Sequence, residues 1–273
     1  MQESFQMTDL GLLSYYLGIG VKQDEDAITV CHSSYASKIL DDAGMRDCNP
    51  SSTPLENRLK LKKTTGEVKD ATEYRSLIGS LRYLVNTRPD IAYAVGLVSR
   101  FMESPGKEHW SAVKQILRYI KGTLGYGCIF RKGERDVLTG YSDSDHAGDL
   151  NDRKSTSGVV FYLGSGVITW CSQKQRIVAL SSCEAEYIAG ATAATQAVWL
   201  SRLFAEILGE DAQKVKLKID NKSAIELSKN PVHHERSKHI DLRLQVVFSL
   251  SAFVARPTTR RGRAWITQVV ARL

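Results

Sequence analysis

"GYSDSDHAGD", residues 140–149, opens like a β-strand and ends in a charged turn carrying Asp143, Asp145, His146 and Asp149. Carboxylates this close repel one another, and a sheet rarely buries charge that nothing compensates. Strand alternation puts Tyr141, Asp143 and Asp145 on one face and Ser142 and Ser144 on the other, with Gly148 ending the strand. Taken alone, the DxD pattern describes a solvated strand end as readily as a site. Other acids must converge on it before the second reading holds.

Working outward, "VLTGYSDSD" (137–145), "SGVVFYLG" (157–164) and "GVITWCSQ" (166–173) are short strands joined by tight polar or glycine turns. A long helix runs from "SSCEAEY" (181–187) to about Leu208, followed by the strand "VKLKID" (215–220) and the helix "NKSAIELSK" (221–229). This order predicts an α/β fold, a mixed sheet with flanking helices. Upstream, "LSYYLGIGVKQ" (13–23) and "AITVCHSSY" (27–35) predict a strand pair. "SYASKILDDAG" (34–44) predicts a helix capped by Ser34 and stopped by Gly44. The polar stretch 51–70 reads as a loop, and helices are expected in 71–87, 89–102 and 109–123. The first segment is thus α+β, ending in helices. The expected division is 1–136, 137–247 and an Arg-rich tail, 248–273.

The formal charge of +7 is concentrated at one end. From Leu242 to Leu273 there are six arginines, no lysine and no acid; without them the balance is 31 basic to 30 acidic residues. The body is therefore nearly neutral, and its charge alone does not indicate a nucleic-acid partner. Five cysteines without CxxC spacing point to reduced thiols in a cytoplasmic or nuclear setting. The chain shows no secretory leader and no apolar run long enough for a bilayer, so neither secretion nor a membrane partner is expected. No GxSxG elbow, P-loop or HExxH helix is present.

Two further acids are candidates to join Asp143. Ser181 and Glu184 match a capping box, which accounts for Glu184. Glu186 lies roughly 200° round the helix from Glu184. Its face continues through Gly190, Ala193, Ala194 and Ala197, a stripe that lets a helix lie close on a sheet. Asp220 closes the strand "VKLKID" and can also cap the next helix. Three converging carboxylates destabilise a fold unless a cation compensates, and Mg²⁺ is bound by few carboxylates plus water and substrate phosphates.

These motifs, with "DRKSTSG", "ITWCSQKQ", "DNKSAIELSKNPVHHERSKHID", "LGIGV", "YRSLIGSLRYL", "TRPDIAYAV" and "ILRYIKGT", resemble the C-terminal part of the Pol polyprotein of copia-type LTR retrotransposons. The likeness covers roughly residues 5 to 246: the end of reverse transcriptase, its thumb and connection, followed by ribonuclease H. It implies a ribonuclease H fold and hydrolysis of RNA in RNA:DNA hybrids by two-metal catalysis with Mg²⁺ or Mn²⁺. By position, Asp143, Glu186 and Asp220 match the family's first three metal-binding acids, with Asp145 ranked below Asp143. Ser181 and Ser182 would lie where the hybrid's backbone passes.

The polymerase YxDD pair, which belongs upstream in the family, is absent, so polymerisation is not expected, nor is the rest of the Pol polyprotein. Past "KHIDLR" the family continues with a strand and a helix carrying a fourth acid. The tail offers no Asp or Glu, and Asp241 and His239 read better as helix surface or packing, as His233 and His234 read as solvated. The tail reads as unrelated sequence, and a sheet lacking its last strand is expected to be less stable. The alternative to an active nuclease is an inactive nucleic-acid-binding remnant.

Overall fold

The computed structural model describes residues 11–57, 59–63, 70–134, 137–212, 214–229 and 252–255. The upstream part is built on an antiparallel sheet of order β1-β2-β3-β4: β1 (Tyr15–Tyr16), β2 (Ile19–Gln23), β3 (Ala27–Cys31) and, much later in the chain, β4 (Gly127–Arg131). Between β3 and β4 come α1 (Ser33–Asp42), α2 (Ala71–Leu84), α3 (Ala92–Val98) and α4 (Lys107–Gly122). Helical spacing decides their core: Tyr74, Ile78, Leu81 and Leu84 of α2 pack with Val113, Ile116, Leu117 and Ile120 of α4.

Two expectations are corrected here. The α1 cap is His32, buried and bonded to Thr87 at 2.6 Å, whereas Ser34 lies inside the helix. The segment also does not end in helices. "GCIFR" pairs with β3, a long-range partnership that short-range patterning does not reveal.

Downstream, β5 (Leu138–Ser144), β6 (Thr156–Leu163) and β7 (Gly166–Lys174) form the expected antiparallel meander. Helix α5 (Ser182–Leu208) then crosses the sheet, so that β8 (Lys216–Ile219) returns parallel to β5. After α6 (Lys222–Lys229), β9 (Ala252–Ala255) runs parallel to β8. The order β7-β6-β5-β8-β9 is the mixed, helix-flanked sheet of a ribonuclease H-like fold. Ala193, Ala194, Ala197 and Leu200 of α5 press on Val159, Phe161 and Leu217. Gly140 permits that approach, since a Cβ there would collide with Phe161 and Leu217.

The fifth strand departs from the expectation of a sheet without its last strand. "AFVA" is a short apolar run with strand-forming Phe and Val, and β8 offers it an otherwise open edge. The arginines around it hid that signal in the sequence. The rest of the tail, and the region of His233, His234, His239 and Asp241, lie outside the described residues.

The two sheets meet through Cys128, Val160 and Val167, with Phe130, Tyr162 and Trp170 packed around them. The Trp170 indole donates to Val85 O at 3.2 Å. Arg100, just past α3, reaches across to Asp149 at 3.3 Å and Thr156 Oγ1 at 2.9 Å.

Candidate metal centre

Parallel pairing of β5 with β8 builds the site. With Ser142 opposite Ile219, the next residues on the two strands, Asp143 and Asp220, lie side by side at the same sheet edge. Helix α5 starts above that edge, and its second turn brings in Glu186. One oxygen from each of Asp143, Glu186 and Asp220 lies within 4.8 Å of the others. Asp143 is half-buried, Glu186 only 6% exposed, and Asp220 open to solvent. All three acids singled out by sequence are therefore brought together.

The backbone N–H of Ser144 joins two of them, donating to Asp143 Oδ1 at 2.9 Å and to Glu186 Oε1 at 3.0 Å. The other Glu186 oxygen, Oε2, is buried and receives no N–H or O–H donor among the described residues, while the Asp143 and Glu186 carboxyls lie within hydrogen-bond reach of each other. Burial foremost, and then the Asp220 charge, push the Asp143 carboxyl above its ordinary range. Glu186 is also raised, by burial first and then by the charges of Asp143 and Asp220. A cluster that resists ionisation and leaves a buried oxygen unmatched fits a hard divalent cation. Nearby Cys183 is held protonated by burial and by the negative charge of Glu186 and Glu184, so a soft thiolate does not compete as ligand.

Asp145 belongs elsewhere. It follows the end of β5 and turns into the 146–156 loop, where Oδ1 accepts from Thr156 N at 2.6 Å and Oδ2 lies over Gly148. Asp149 is buried and paired with Lys174 at 2.7 Å as well as with Arg100. Burial opposes its ionisation, but hydrogen bonds from Lys174 and from the Asn151 and Asp152 backbone outweigh that and hold its pKa well below the usual range. Ser181 caps α5, accepting from Glu184 N at 3.1 Å, and Ser182 is the exposed first residue of the helix. Glu184 reaches back to Leu180 N at 2.9 Å, completing the expected box one residue further out. Sequence reasoning missed Gln175, which follows β7 and is buried behind Ser144. A lone glutamine after a strand carries no pattern that marks it.

The whole chain aligns at 42% identity with a retrovirus-related Pol polyprotein from transposon TNT 1-94 of Nicotiana tabacum, of which it spans 22%. It also covers 84% of an uncharacterized mitochondrial protein of Arabidopsis thaliana at 39% identity. The chain belongs to the Pol polyprotein family of copia-type retrotransposons. Residues 1–57 match the family model described as reverse transcriptase (RNA-dependent DNA polymerase). The chain spans about a fifth of the TNT 1-94 polyprotein's length. Among solved structures it is similar to an N-terminal ribonuclease H domain from Mycobacterium tuberculosis, with TM-score 0.33 and 18% identity over 45% of this chain and 88% of that one. The three-acid edge lies downstream of the residues matched to reverse transcriptase.

Proposed function

We propose that this chain hydrolyses the RNA strand of RNA:DNA hybrids, with Asp143, Glu186 and Asp220 holding Mg²⁺ or Mn²⁺. The observation that carries this reading is the convergence of those acids from β5, α5 and β8, with a buried Glu186 oxygen left for a cation. A bound divalent ion supplies Lewis-acid activation of the scissile phosphate and of an attacking water. The protein's part is to hold the three carboxylates ready. Asp143 and Asp220 present oxygens at the open edge, and Ser144 N fixes Glu186 Oε1 behind them. A hybrid is recognised by shape and 2′-OH groups rather than base edges, with its backbone passing Ser181 and Ser182 at the start of α5. The division near residue 137 into a reverse-transcriptase-derived part and a ribonuclease H part belongs to the same proposal.

The test is cleavage of an end-labelled RNA:DNA hybrid with Mg²⁺ and then Mn²⁺, alongside Asp143→Asn. Cleavage by the wild type and loss of at least about 10²-fold in the variant is expected, the scale of a removed transition-state contact. Folded protein that binds hybrid with steep salt dependence and never cuts it would leave a binding remnant instead.

A further inference from the structure

Gln175 is only 6% exposed and follows β7, yet it touches three other elements. Its Nε2 donates to Ala185 O at 2.9 Å, to Ser157 Oγ at 2.9 Å and to Ser144 Oγ at 3.2 Å. Two hydrogens therefore serve three oxygens. The amide cannot be turned round, because Ala185 O only accepts and must face the NH₂. Its own backbone N–H is tied to Ser155 O at 2.8 Å.

The consequence lies in which residues are joined. Ser144 follows Asp143, and its N–H bridges the Asp143 and Glu186 carboxyls. Ala185 precedes Glu186 on α5. One side chain thus links the residue after the first acid to the residue before the second, across the seam between sheet and helix. Asp143, Glu186 and Asp220 come from separate elements, and among the described residues no other hydrogen bond ties Ser144 to α5 except the one through the Glu186 carboxyl itself. A carboxylate cannot both be a metal ligand and alone fix the spacing between the elements that carry it.

The geometry points to Gln175 as a positioning residue for the divalent-cation site, setting the distance between the Asp143 and Glu186 carboxylates. It rests on the metal-site reading above. It touches no ligand oxygen and acts through Ser144 and Ala185. Partners one shell out from metal ligands typically carry about 10- to 100-fold in affinity or activity.

The experiment is a Mn²⁺ titration of the full 273-residue chain, followed by electron paramagnetic resonance, on wild type, Gln175→Met and Asp143→Asn. Methionine matches glutamine in length and donates nothing. Gln175→Met is expected to weaken Mn²⁺ by about tenfold or more while staying folded, with a melt lowered by the lost buried hydrogen bonds to Ser157 and Ala185. On hybrid it should lower kcat and leave KM unchanged. Wild-type Mn²⁺ affinity in Gln175→Met, with Asp143→Asn impaired, overturns the inference and leaves the metal site standing. Asp143→Asn binding Mn²⁺ like wild type overturns both. If Gln175→Met does not fold, Ser144→Ala cuts the same tie at its other end, and unchanged Mn²⁺ affinity there equally overturns the role.

Discussion

At the scale of single residues, Asp143 and Glu186 stand in a conflict that the fold tolerates. Both carboxyls are raised above their ordinary values by burial first, Asp143 then by the charge of Asp220 and Glu186 by the charges of Asp143 and Asp220. The folded chain without metal therefore binds more protons than the unfolded one above the ordinary carboxylate pKa of about 4. Stability must then fall as pH rises from there through neutrality, because the native state has to surrender protons it prefers to keep. Melting curves in chelator between pH 5 and 8 should show that decline, and Mg²⁺ should reverse it most strongly at the alkaline end. Asp143→Asn removes one of the repelling charges without changing shape. It should raise the metal-free melting temperature at pH 8 by about 2–4 °C, the equivalent of about 1 kcal/mol in a chain of this size, and abolish the Mg²⁺ response. A variant that melts lower than wild type in chelator would show that the carboxylate contributes more by its hydrogen bond to Ser144 than it costs by repulsion.

Elements explain why this part of the fold was readable. Helix α5 announces itself through Ser181 and Glu184 at one end, Gly209 in the left-handed conformation at the other, and an alanine stripe between. That stripe is a packing instruction. Ala194 is fully buried against the sheet, so Ala194→Leu should cost about 1–3 kcal/mol by overpacking and shift the urea midpoint without changing the slope. The acids were legible for the same reason: each sits at an element's end that local patterning already located. What escaped was pairing between distant segments. β4 and β9 are short, and only partners about a hundred residues upstream (β3) or at an open sheet edge (β8) make them strands. Asp145 stands apart from the three acids because Thr156 N donates to its Oδ1, which ties that carboxylate to the start of β6 while its own N–H still pairs with Thr156 O. Gln175 was invisible because its importance lies entirely in what it reaches.

Across the whole molecule, the link that matters joins the two sheets next to the site. Arg100 comes from the upstream part and Asp149 from the loop that follows β5, and Lys174 at the end of β7 completes the pair. Thr156, held by Arg100, is the residue whose N–H fixes Asp145. The upstream helices thus brace the loop beside the acidic edge. Asp149 is buried and its pKa is depressed, so its contribution is complete above the ordinary value of about 4 and disappears as pH falls through its native value. Asp149→Asn leaves Lys174 with Asp152 and Arg100 with Thr156 as their remaining partners and should cost about 1–3 kcal/mol at pH 7. Arg100→Ala alone should cost less, because Lys174 still compensates the carboxylate. In a double-mutant cycle at pH 7 the two changes should couple by about 1 kcal/mol, and the coupling should shrink toward zero in strong acid. Coupling of that size in a single unfolding transition means the two sheets unfold together. Additive effects with two separate transitions would mean that the upstream part merely rests against the nuclease-like sheet, and that the loop beside Asp143 holds its shape without it.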